Sequence, residues 1–418
     1  MKNRILSIGL CLSIVTSSIF LSGCFKQTCK QTETVTLYRP VYQEMETVKG
    51  NIKSNPAKPI EHPGKLFILG KYIFLNEIDK GIHVIDNTDP MHPENAAFID
   101  IPGNLDLAVK GSVLYADLYA DLVTIDISDP LSVKVLNYNT GVFPHRNYGL
   151  GFVYDSLRII SSWVAVDTVL TSTCDPVQPY LDYYFNASSG GTRSFAASPV
   201  GKGGSMARFA ITGNYLYTVS YSGLNVFNIT NGEKPEFSNK VNLDLATVET
   251  IFPLSDNLFI GGRNGMNIYN ISDPLNPSLT GQFGHVQSCD PVIADEDYAY
   301  VTLRGGTMCN SFTNQLDILQ LNHLTDPVLM QSYGMTNPHG LSKDGDLLFI
   351  CDGEAGLKVF DAGDVMDLKP VAEFEGMKTH DVIAFNKIAL VVAEDGLYQF
   401  DYSNENAIHL ISVLKIQK

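Results

Sequence analysis

The string HVIDNTDP at 83–90 returns as VTIDISDP at 123–130 and as NIYNISDP at 267–274, with weaker echoes at 225–232, 358–364 and 398–404. Recurrence of this kind constrains the fold before length does, because a repeat array breaks the usual relation between residue count and domain count. Aligned on the polar residue that ends each apolar run, the echoes fall at Asp86, Asp126, Asn228, Asn270, Gln320, Asp361 and Asp401, mostly about 41 residues apart. The gap of 102 residues between Asp126 and Asn228 has room for two units and some 20 further residues, so a degenerate unit is expected at 145–205. The gap of 50 between Asn270 and Gln320 contains the insertion GGTMCNSFTN at 305–314.

Each unit reads as four short strands. In the second these are NLDLAVKG (104–111), SVLYADLYA (112–120), DLVTIDISD (121–129) and VKVLNYNTG (133–141). Val, Ile, Tyr and Phe dominate, and Gly, Asn, Asp and Pro punctuate, as strands and tight turns require. No stretch sustains a helical period. Four strands in about 40 residues is the period of a propeller blade. One such sheet cannot bury both faces alone, whereas twisted copies stacked around an axis cover one another.

The Asp or Asn ending the third strand can bond nearby backbone amides. The following D-P pair sets a turn, because proline excludes the helical region for the residue before it. A repeated cation site is the competing reading of these aspartates, but they match no calcium-loop pattern and turn chemistry is preferred.

GIHVIDNTDP and DLVTIDISDP resemble the LVIVD repeat, found in bacterial β-propeller proteins, several of them lipoproteins of Bacteroidota-type bacteria. The resemblance covers most of 64–418, with VTIDISDP its best match and departures at 145–205 and 305–330. It implies a β-propeller at the cell envelope and carries over no catalytic motif. The expected fold class is therefore all-β: a propeller of about eight, alternatively seven, four-stranded blades, the third degenerate. Strand sets start near 64, 104, 145, 206, 247, 289, 337 and 379.

Lys2 and Arg4 precede a mostly apolar run from Ile5 to Leu21, followed by LSGC at 21–24. A basic start, a short apolar core and small residues at a cleavage site read as a secretory leader. The ending resembles a bacterial lipobox, which implies cleavage before Cys24 and its lipidation. The apolar run of about 17 residues is marginal for a transmembrane helix. The expected domains are thus a lipoprotein signal peptide at 1–23, a lipidated Cys24 with a polar tether over 24–63, and a propeller over 64–418 with an insertion at about 172–205. Residues 35–44 (TVTLYRPVYQ) can alternatively add an edge strand. The expected location is the envelope, lipid-anchored, at the outer membrane. No acidic cluster follows Cys24, so the inner membrane and the cell surface stay open.

The formal net charge of −16 disfavours nucleic acid and anionic lipid surfaces as partners. Besides Cys11 and Cys24 there are Cys29, Cys174, Cys289, Cys309 and Cys351, an odd number without metal spacing. Cys289 and Cys309 fall on one face of an up-down blade, where export permits a disulfide between them.

In a propeller the first strand of each blade lines the channel, and its opening residues meet at one mouth. Those residues are Asp106, Asn147, Arg208, Glu249, Asp290, His339 and the pair His380–Asp381; the first blade, around GKLFIL, is the exception. Such a ring is a candidate pocket for a cation, a sugar or a peptide side chain, although wet channel positions collect polar residues without any ligand. His145 and His339 each follow a proline, and a lone histidine is more often structural than a base. YLDYYF at 180–185 offers aromatics for a glycan or a partner, while Trp163, the single tryptophan, excludes a multi-tryptophan sugar cleft. No serine elbow, H-E-x-x-H, P-loop or dinucleotide fingerprint is present. The leading expectation is a non-enzymatic, membrane-anchored binding or scaffold propeller for an envelope protein or glycan. It needs no cofactor, though a channel-bound cation is compatible with it. The alternative is an envelope hydrolase or lyase using carboxylates and histidines at the mouth.

Overall fold

The computed structural model describes residues 30–144, 158–173, 201–220, 223–243, 245, 248–285, 288, 291–306 and 313–416. The chain divides into two compact units. The first, residues 1–41 with 160–186, holds most of a two-stranded ribbon formed by Lys30–Glu44 and Arg158–Thr173. Across this ribbon the Thr36 hydroxyl donates to Asp167 Oδ1 at 2.7 Å.

The second unit, residues 42–159 with 187–418, is the propeller. Seven four-stranded antiparallel sets follow one another along the chain, at 63–100, 107–139, 209–242, 248–284, 292–334, 341–374 and 379–415, here called blades 1 to 7. The innermost strand of each blade packs on that of the next, and blade 7 returns to blade 1, so the ring closes. The seven polar anchors of the repeat map one to one onto these blades. The eighth unit expected at 145–205 forms no four-stranded blade among the described residues. Its described strands go elsewhere: Arg158–Thr173 to the ribbon and Gly201–Gly203 to the inner edge of blade 1.

The core lies between blades. Leu66, Ile68 and Ile73 of blade 1 pack with Ile383, Leu390 and Val392 of blade 7. Phe209, Ile211 and Phe227 of blade 3 pack with Tyr115 and Leu122 of blade 2. Each such side chain contributes about 1.5–3 kcal/mol when fully buried, and none of it is available to an isolated blade. The fourth strand of every blade carries a bulge at its third or fourth residue, as between Val84 and Ile85 opposite Ala97 and Asn95. A bulge twists the outer edge away from further pairing and guards the rim of the disc against edge-to-edge association.

The repeated D-x-S/T-D-P string acquires its reason here. Oδ1 of Asp86, Asp126, Asn228, Asn270, Asp361 and Asp401 accepts the amide two residues on, at 2.7–3.0 Å. The second Asp or Asn of the string repeats the device, as in Asp129 with Leu131 N at 3.1 Å. Two successive Asx turns fix the loop, and its carbonyls then receive the preceding blade. Ser412 of blade 7 donates to Pro90 O at 2.6 Å, Tyr115 of blade 2 to Gly232 O at 2.9 Å, and Tyr217 of blade 3 to Pro274 O at 3.1 Å. The string therefore sets both the turn and the blade-to-blade contact, in accord with turn chemistry.

Part of the stretch read as a tether is packed. Met45–Lys49 form a short helix with Met45 and Val48 buried, and Ser54–Pro56 pair with the outer edge of blade 1. Tyr138 of blade 2 donates to Lys49 O at 2.9 Å, and Lys49 Nζ lies 2.9 Å from Asp121. This strap joins blades 1 and 2. Its helix is too short to show a period, which is why polarity alone dominated its reading. No helix among the described residues is long and apolar enough to cross a membrane.

Candidate functional site

Gly201–Gly203 run antiparallel to the innermost strand of blade 1, on its axial side, with Gly201 opposite Leu69 and Gly203 opposite Phe67. The backbone continues past Asp381 at Gly204, and Ser205 Oγ accepts Leu341 N of blade 6 at 2.8 Å. The same stretch contacts the innermost strands of blades 2 and 7. The channel thus carries a strand of its own chain. The glycine-rich GKGG at 201–204 is what so narrow a space demands.

Beside this strand the channel carries buried ionisable groups. Lys65 and Asp106 are each 1% exposed and form an ion pair at 3.2 Å. Asp106 also accepts Leu107 N and Arg208 N, both at 2.8 Å. Burial raises Asp106 to about 6, against the pull of Lys65 and Arg208. Burial likewise lowers Lys65 well below its ordinary value. Asp381 is wholly buried; desolvation raises it to about 8, with Val382 N and Ser205 N opposing. Blade 1 is therefore no exception to the polar ring: Lys65, inside the apolar-looking GKLFIL, supplies its axial group. Asp106 and Asp381 sit against the axial strand rather than at an open mouth.

The mouth holds a second group. His380 occupies a bulge, since Thr379 pairs with Ala393 and Asp381 with Val392, and the bulge turns its ring out of the ladder. Its ring lies 5.3 Å from that of His339, edge to face. Arg304 Nη1 lies 2.9 Å from Nδ1 and 3.2 Å from Nε2 of His339. A guanidinium only donates, so the imidazole nitrogen facing it accepts and the ring is neutral. Burial, then Arg304, His380 and Lys378, hold His339 well below the usual histidine value. Burial, then Lys378 and Arg304, lower His380 to about 4. Around this group Arg263 Nε meets Glu249 at 3.2 Å, and Lys378 meets Glu354 at 3.2 Å.

Of the residues expected at the mouth, the structure joins His339 with His380 and sets Glu249 nearby. It joins Arg208 with Asp106 below. Asn147 and Asp290 lie outside the described residues, as do Cys24, His145, the pair Cys289 and Cys309, and YLDYYF at 180–185. Arg304, Arg263 and Glu354 were not expected. They stand on the loops between second and third strands, which share this face with the openings of the first strands; VTLRGG at 301–306 carried the signal. Among the described residues no group of three or more His, Cys, Asp or Glu side chains is placed to hold a metal ion.

Residues 105–140, blade 2 with its approach, match the LVIVD repeat family. No curated protein matches the chain. Among solved structures, a protein from Lactobacillus plantarum superposes with a TM-score of 0.54 at 12% identity, over 85% of this chain and 96% of that one. The computationally designed Ika8 protein superposes with a TM-score of 0.52 at 10% identity, over 87% and 88%. A periplasmic gluconolactonase of Pseudomonas aeruginosa reaches 0.49 at 12% identity, over 84% and 96%, too loose a likeness to bear on function. These likenesses speak to the fold, and the chain is a β-propeller carrying an LVIVD repeat.

Proposed function

We propose that this chain is a lipid-anchored propeller of the bacterial envelope that binds an envelope protein or glycan at the Arg304–His339–His380 mouth without transforming it. The reading rests on one observation above all. The mouth presents a guanidinium and two neutral imidazoles, and among the described residues the buried Nδ1 of His380 has no hydrogen-bond partner. A buried polar atom left unpaired costs about 1–3 kcal/mol, and a ligand that bonds to it recovers that cost. Hydrolysis asks for a base poised near the working pH, whereas both histidines here are depressed by burial and by neighbouring cations. Support for anchoring through Cys24, and with it residence in the envelope, comes from the leader and the lipobox-like LSGC.

The test is capture from native envelope extract by the full lipidated chain and by His380→Ala, alongside a glycan and peptide turnover screen. The reading expects a ligand retained by the wild type, weakened in the variant and released chemically unchanged. A substrate turned over by the wild type and not by His380→Ala would establish the enzyme instead.

A further inference from the structure

Arg304 is half-buried, and among the described residues its hydrogen-bond partner is His339 alone, through Nη1. Glu249 and Glu354 act on it electrostatically, but each is engaged elsewhere: Glu249 by Arg263, Glu354 by Lys378 and by Asn337 Nδ2 at 2.8 Å. A guanidinium has five donors in a planar fork; among the described residues one contact to a neutral ring engages the fork, and the two carboxylates that act on its charge are each hydrogen-bonded or paired elsewhere. The geometry complementary to such a fork is a carboxylate, gripped by two parallel N–H···O bonds. Lysine would not substitute, because a point charge lacks the fork.

Across the ring of His339 from this cation stands the buried Nδ1 of His380, which has no hydrogen-bond partner among the described residues. A neutral imidazole nitrogen either donates or accepts according to tautomer, and a hydroxyl can answer in either sense. The axial strand blocks any deeper passage, so the group that enters is a terminal one. We infer that the mouth binds a carboxylate flanked by a hydroxyl, as on a uronic acid unit of a glycan, with the carboxylate on the Arg304 fork and the hydroxyl on His380 Nδ1. This rests on the binding reading above and names the ligand class for the same site.

The experiment titrates the full chain with D-glucuronate, D-glucose, acetate and an N-acetyl dipeptide, read by calorimetry and by side-chain ¹⁵N shifts of Arg304 and His380. Glucuronate is expected to bind at least tenfold more tightly than glucose or acetate and to shift both side chains. Arg304→Lys is expected to lose about tenfold for glucuronate and nothing for glucose. His380→Ala is expected to weaken glucuronate and leave acetate unchanged. Glucose equal to glucuronate, Arg304→Lys binding as wild type, or no glucuronate binding at millimolar concentration would each overturn the proposal. So would a dipeptide that binds as tightly as glucuronate, which points to a peptide terminus. An envelope ligand that still depends on His380 in those cases would leave the binding reading intact and reject only the ligand class. Loss of that dependence as well would reject both.

Discussion

A β-carbon built on Gly204 would fall 1.9 Å from Oδ2 of Asp381, far inside van der Waals contact. Backbone and carboxyl therefore occupy the space that any other residue's side chain would need. Asp381 is fixed in turn by Val382 N at 3.0 Å, and Gly340 presses on it from blade 6. Gly204→Ala must displace either the axial strand or blade 7, and overpacking of this kind costs about 1–3 kcal/mol. Denaturant unfolding should show that loss. Gly213→Ala is its control for added bulk: nothing lies within 4 Å of the β-carbon there, so its cost is the strain of φ +57° alone.

The Lys65–Asp106 pair makes a sharper prediction. Removing one member of a buried pair strands the other charge and costs about 3–5 kcal/mol, while replacing both with apolar residues of similar volume is often near neutral. Lys65→Met and Asp106→Leu should each be severely destabilising, and the double variant should lose clearly less than the sum of the two, the remainder being the Leu107 and Arg208 amides that Asp106 accepts. Additive effects in that cycle would contradict an ion pair on the axis.

Asp381 gives a pH dependence of known sign. Its folded value of about 8 lies above the ordinary carboxylate value of 3.8. The folded state therefore holds a proton that the unfolded chain releases. Its contribution is fully present below about pH 4 and is lost as pH rises towards 8. Urea unfolding between pH 5 and 8 should show wild-type stability declining relative to Asp381→Asn, whose amide cannot ionise. Parallel curves would show that Asp381 does not titrate in this window.

The turn string predicts an asymmetry between two substitutions. Asp126→Asn keeps the acceptor for Ser128 N, as Asn228 and Asn270 do in their own blades. Asp126→Ala removes it. Thermal unfolding should find the asparagine variant close to wild type and the alanine variant lower by about 0.5–1.5 kcal/mol.

Much of this fold was legible because its repeat is local. An Asx turn followed by D-P needs only neighbouring residues, so Asp86, Asp126 and Asn270 announce their blades, and the seven anchors equal the seven blades. The stretch between Asp126 and Asn228 misled because length was converted into an additional blade, whereas Gly201–Gly203 pair with residues more than 130 positions earlier. No local pattern encodes such a pairing. Lys65 was hidden for a related reason: within GKLFIL it reads as part of an apolar strand, and only the ring places it opposite Asp106. His339 and His380 could be paired from sequence because each opens a first strand, which brings their rings within 5.3 Å. Arg304 follows a second strand, and that position gains its meaning only when blades 5 and 6 are side by side.

The binding proposed at the mouth requires a channel occupied by its own chain. Hydrogen exchange of the amides in residues 201–206 of the full chain tests this most directly. Protection comparable to the innermost strands of blades 1 and 7 is predicted. Exchange as fast as in an exposed loop would mean that the axis is open, and the mouth would then be a gate rather than a floor.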